Sequence, residues 1–124
     1  MAFLAISCAT RLNTIPEGLT QMELIQRGQE ASDRNRYNIS LQYYEALIMR
    51  FPFDIDSVIA AEYEIAFIHY KQRQYDLAKA GFENLLARYN VPDAELLPPQ
   101  FKILALIVMD TIAERESQVR RGRS

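Results

Sequence analysis

Five stretches of the chain place apolar side chains at helical intervals, and polar or Pro-containing breaks separate them. The first is predicted after Thr20, an N-cap that can form a capping box with Glu23, and continues over 22–33 with Leu24, Gly28 and Ala31 on a narrow face. Asn35 suits a left-handed corner. The second helix is expected over about 36–50, with Ile39, Ser40, Tyr43, Tyr44, Leu47 and Ile48 on one side and Pro52 just beyond its end. Asp54 or Asp56 caps a third over roughly 57–72, whose apolar side includes Val58, Ile59, Ile65, Ala66, Phe67 and Ile68. A fourth is expected from about 74 to 89, and a fifth, after the Pro98-Pro99 break, from about 100 to 118. Residues 103–109 tolerate a strand, but good helix formers flank them. The pattern therefore predicts an all-α fold: two antiparallel helix hairpins and a C-terminal packing helix.

The two hairpins repeat one another at an offset of 38 residues. Tyr37, Ser40, Tyr44, Glu45, Leu47, Ile48, Arg50 and Phe51 return as Tyr75, Ala78, Phe82, Glu83, Leu85, Leu86, Arg88 and Tyr89. Self-similarity at such a period marks a helical repeat array, whose units bury their apolar faces only by stacking.

These residues resemble the tetratricopeptide repeat. Gly28, Tyr37, Ser40 and Tyr44 in the first unit, and Ala66, Tyr75, Ala78 and Phe82 in the second, match its structural positions. Glu62, His69 and Arg73 depart from it, and the second unit's proline is delayed to Pro92. The longer spacing between units, with Arg50-Phe51-Pro52-Phe53 and Tyr70-Lys71-Gln72, looks like the BamD-like outer-membrane lipoproteins, accessory subunits of the machinery that inserts β-barrel proteins. Those proteins usually carry about five units, against two units and one helix here. The resemblance implies a concave surface lined by the first helix of each unit. Carried onto this chain, the partner-binding positions are Met22, Ile25, Gln29, Ser32 and Asp33, then Tyr63, Phe67, Tyr70 and Lys71.

Tyr63, Phe67 and Tyr70 follow at i, i+4 and i+7 and so share a helix face. Either this aromatic stripe docks a peptide segment of a partner protein, or the fifth helix covers it as core. The fifth helix is apolar nearly all round, with Phe101, Leu104, Val108 and Ile112 as candidate interface residues. It either packs on the hairpins or forms an interface with another protein or a second copy; the interface reading is preferred.

Composition narrows the function more than the fold. With 49% hydrophobic and 24% charged residues in 124, the chain can bury a core, and a net charge of −2 gives no electrostatic reason to expect nucleic acid. Residues 1–20 are read as leader and tether, 21–119 as the helical domain and 120–124 as a solvated basic tail. The only cysteine, Cys8, follows Phe3-Leu4-Ala5-Ile6-Ser7, which looks like the end of a lipoprotein signal in the relaxed form seen in spirochaetes. Lipidation would anchor the chain to the periplasmic face of the outer membrane. Seven residues without a basic group precede Cys8, so either the start lies upstream or the thiol is incidental. His69 has no second histidine or cysteine near it, the carboxylates form no pair aimed at a cleft, and no glycine-rich phosphate loop or nucleophile elbow occurs. No metal or cofactor is expected, and the chain is read as a non-enzymatic protein-binding scaffold. A cytoplasmic adaptor and a periplasmic accessory of a cell-wall enzyme complex are the alternatives.

Overall fold

The computed structural model describes residues 14–123. They form α1 (Gln21–Asp33), α2 (Tyr37–Arg50), α3 (Ile55–Lys71), α4 (Tyr75–Ala87), a 3-10 turn (Ala94–Leu96) and α5 (Pro99–Arg123). No strand occurs among the described residues. Adjacent helices pack as hairpins, α1 on α2 and α3 on α4; α3 joins the hairpins through α2, and α5 lies on α4 and α3.

The capping box is present: Thr20 Oγ1 accepts from the Glu23 amide at 3.2 Å, and the Thr20 amide donates to the Glu23 carboxylate at 2.8 Å. Asp54, rather than Asp56, caps α3, accepting from the Ser57 amide at 3.4 Å and the Ser57 hydroxyl at 2.7 Å. These bonds, the hydroxyl's foremost, hold its carboxyl below the usual range. The helix accordingly starts two residues earlier than predicted.

Both hairpin corners close in the same way. Arg36 N–H reaches Ala31 O and Asn35 N–H reaches Ser32 O; 38 residues on, Gln74 N–H reaches His69 O and Arg73 N–H reaches Tyr70 O. The corner residues, Asn35 and Arg73, have φ of 60° and 62°. Asparagine tolerates that region, whereas an arginine there carries a Cβ penalty that glycine would avoid.

Inside each hairpin a small residue lets the helices approach. A Cβ on Gly28 would stand 2.7 Å from the Tyr44 ring, and Ser40 Oγ donates to Gly28 O at 2.6 Å. In the second hairpin Ala66 takes the place of Gly28, and the space is recovered across the pair: a Cβ on Gly81 would lie 2.9 Å from that of Ala66. Tyr44 and Phe82, the matching aromatics, are both fully buried. Burial holds the Tyr44 phenol well above its ordinary range, with the Glu64 charge adding to the shift. Its oxygen has no hydrogen-bond partner that meets ordinary geometry.

Helix α3 divides its faces between two cores. Ala61 and Ile68 join Leu24, Tyr44 and Leu47, while Ile59, Tyr63 and Ala66 join Ala78, Phe82, Leu85 and the inner side of α5. Glu62, which departs from the repeat pattern, forms a bidentate ion pair with Arg88.

Two segment boundaries differ from expectation. Residues 14–20 are not a free tether: Arg50 donates to the carbonyls of Pro16 and Ile15 at 2.7 and 2.9 Å, and Ile15 and Leu19 pack on the first hairpin's core. At the other end, residues 120–123 continue α5 instead of forming a separate tail, since nothing between Gln118 and Arg123 breaks the helix. Cys8 lies outside the described residues.

Candidate functional site

The first helices of the repeats, α1 and α3, together with α5, present one side of the molecule, and the side chains expected on it divide into buried and accessible sets. On α1, Met22 is 78% exposed, Gln29 and Asp33 are exposed, and Ile25 is half-buried against the first core. Ser32 is buried and accepts a short hydrogen bond from Lys71 Nζ.

On α3, Tyr63 is only 6% exposed. It is ringed by Phe67, Phe82 and Phe101 at centroid distances of 5.7, 5.7 and 5.6 Å. Phe101 of α5 supplies the cover, so Tyr63 is a packing residue and leaves the partner-binding set. Phe67 and Tyr70 extend the stack at 5.7 Å and 9°, and both remain half-buried.

Cations sit over this accessible part of the stripe. Lys71 Nζ lies 5.1 Å from the Phe67 ring and 5.2 Å from the Tyr37 ring. Arg115 of α5 stands 5.2 Å over Tyr70 and donates to the Tyr75 hydroxyl at 3.3 Å. Such contacts contribute roughly 0.5–1 kcal/mol each at exposed sites, enough to hold the long side chains without closing the surface. The Tyr37–Lys71 and Tyr75–Arg115 pairs are related: the leading tyrosine of each second helix meets a cation from the helix that follows the hairpin, over its ring in the first case and at its hydroxyl in the second.

A shallow cavity of about 270 Å³ opens beside Lys71, lined by Gln29, Ser32, Asp33, Glu64, Phe67 and Lys71. Glu62 and Glu64 stand two residues apart on α3 and so face different sides: Glu62 pairs with Arg88, and Glu64 lines this cavity, a place that spacing alone does not indicate. Burial pushes the Glu64 carboxyl up, Lys71 opposes the shift and Asp33 reinforces it. A raised carboxyl stabilises the fold relative to the unfolded chain at low pH, and that contribution is lost as pH rises from the ordinary carboxyl range through the folded-state value. Glu64→Gln is therefore expected to increase thermal stability at neutral pH, with the gain shrinking as pH falls from the raised folded-state value through the ordinary carboxyl range. Melting curves at pH 7.5 and pH 4 check the sign; a gain confined to pH 4 would refute it.

The remaining candidates have structural surroundings. His69 Nδ1 lies 3.0 Å from Gln74 Oε1 at the second corner. No group of three His, Cys, Asp or Glu able to hold a metal occurs among the described residues, and no described helix is long and apolar enough to cross a membrane. Tyr37 and Tyr75 are half-buried at the corners, and Ser40, Ala66 and Ala78 are fully buried within the hairpins. Of the expected α5 interface residues, Val108 and Ile112 are buried and Phe101 is half-buried against the second core; only Leu104 faces outward. The periodicity of an all-round apolar helix could not indicate which side the hairpin would cover.

A comparison with characterised and uncharacterised proteins finds a relative in Treponema pallidum (strain Nichols), described only as an uncharacterized protein, which is 31% identical over 112 residues. The match takes in 89% of this chain and 45% of the relative, so the chain spans less than half that protein's length. No known family matches the sequence, and no solved structure matches it.

Proposed function

We propose that this chain is a non-enzymatic docking module of the tetratricopeptide type, held by a lipid at Cys8 on the periplasmic face of an outer membrane, where it serves as a shortened BamD-like subunit of β-barrel assembly machinery. The docking part rests on one observation: Phe67 and Tyr70 remain partly exposed at the end of a ring stack, with Lys71 and Arg115 over them. Rigid aromatics with fixed polar neighbours suit recognition of a peptide segment because little side-chain freedom is lost on binding. Gln29 and Asp33 border the same surface and add hydrogen-bonding edges.

The anchoring part rests on the apolar run before Cys8. The relative's organism is a spirochaete, the group in which the relaxed cysteine box occurs. Incorporation of labelled palmitate that disappears in Cys8→Ser tests the anchor, and incorporation without Cys8 dependence would remove it.

For docking, the chain is recovered from native membranes with its bound proteins, alongside Lys71→Glu and Phe67→Ala. Lys71→Glu leaves an exposed position exposed and is expected to reduce partner recovery about tenfold while helicity is retained, a loss equivalent to ~1.4 kcal/mol. Phe67→Ala should reduce recovery further. Unchanged recovery by both folded variants would refute the concave site.

A further inference from the structure

The outer face of α5 is a second surface, and it requires no docking at the concave side. Helix α5 repeats α3 at an offset of 44 residues: Ala61, Ile65, Ile68 and Lys71 return as Ala105, Met109, Ile112 and Arg115. In both helices these residues point back to the preceding hairpin, Ala61, Ile65 and Ile68 to the first and Ala105, Met109 and Ile112 to the second. The longer connection through the 3-10 turn changes the offset from 38 to 44 and hides the match. By the same offset, Ile59 and Tyr63, which α3 buries in the second core against α4 and the start of α5, become Ile103 and Ile107. These are 58% and 56% exposed, with Leu104 at 40% and Leu106 at 47% on either flank. Helix α5 thus displays the apolar face that its counterpart covers with an antiparallel helix.

We propose that this face pairs with the same face of a second copy, α5 against α5 in antiparallel orientation. The arrangement is self-complementary. Centred on Leu106, it sets Leu106 against the second copy's Leu106 and lets Ile103 and Ile107 of the two copies alternate along the seam. Charge selects the orientation. Lys102, Leu106 and Asp110 follow at i, i+4 and i+8 on one flank, and Lys102 and Asp110 are both exposed. Antiparallel pairing brings Lys102 of each copy toward Asp110 of the other and places Asp110 near the other copy's α5 N-terminus, where a negative charge is favourable. Parallel pairing would set like charges together. Covering the face in both copies, with the helix surface beside it, buries on the order of 1,000 Å², near the lower bound for a specific interface and consistent with a reversible micromolar dimer.

Sedimentation equilibrium and light scattering across the micromolar range test the proposal. The mass is expected to rise from one copy toward two with concentration. Ile107→Glu should weaken association at least about 100-fold with helicity unchanged, because its site is exposed in the single copy. Lys102→Glu should weaken it about tenfold by opposing Asp110 at two symmetric positions, and adding Asp110→Lys should restore it. A strictly monomeric chain throughout the range would overturn the proposal, as would a dimer indifferent to Ile107→Glu or one that the paired charge reversal fails to recover. A monomer that captures an amphipathic helix of another sequence would overturn it too. Concave-face variants should leave the self-association constant unchanged, so failure here and failure of the proposed docking site are separable.

Discussion

Phe82→Ala is expected to cost about 3–5 kcal/mol, enough to remove much or all of the stability of a domain that typically has 5–15 kcal/mol in total. Phe82 is fully buried, and its ring lies 5.7 Å from that of Tyr63, which in turn meets Phe101 of α5. Truncation therefore leaves a cavity at the junction of three helices. Because repeat units mainly stabilise their neighbours, amide protection should fall first in α3, α4 and α5 and less in α1 and α2. Urea unfolding followed by circular dichroism gives the magnitude, and hydrogen exchange gives the location. A loss below about 1 kcal/mol would mean that Phe82 is not the side chain holding this junction.

The second large effect is expected from added volume rather than lost volume. At Gly28 even a Cβ would stand 2.7 Å from the ring of fully buried Tyr44, so Gly28→Leu must displace that ring or separate α1 from α2. Overpacking of this kind costs typically 1–3 kcal/mol and occasionally more. Gly28→Ala should be milder, since alanine recovers about 1 kcal/mol of helix propensity against the same contact. The decisive variant is the pair Gly28→Ala with Tyr44→Leu: removing the ring should cancel part of the alanine penalty, appearing as a favourable coupling in a double-mutant cycle. Strict additivity in chemical denaturation would show that the two residues do not constrain each other.

Residues whose roles depend on local spacing were the legible ones. Thr20 and Glu23 lie three apart and can satisfy one another wherever a helix begins, and the 38-residue offset brings Asn35 and Arg73 to equivalent corners. The same spacing matched Tyr44 with Phe82 inside the hairpins. Less legible were roles that depend on which element lies opposite. The stripe of Tyr63, Phe67 and Tyr70 is continuous along α3, yet Phe101 covers only its first ring. Phe101, Leu104, Val108 and Ile112 all read as apolar residues of one helix, and the position of the second hairpin alone separates Leu104 from the others. Glu64 acquires its raised carboxyl from burial in the tertiary fold, for which no adjacent residue gives a signal. Arg50 was likewise legible only as a repeat position, since the carbonyls of Ile15 and Pro16 that it holds belong to a segment without periodicity.

That last contact has a mechanical consequence. With the backbone clamped at residues 15 and 16, the seven peptide steps from residue 8 to residue 15 can span no more than roughly 25 Å when fully stretched. Anything covalently attached at residue 8 is on a short leash to the end of α2. Load applied there would enter the protein at Ile15, where the Arg50 guanidinium and the first hairpin's core hold the backbone together, so the first hairpin would bear it before the second.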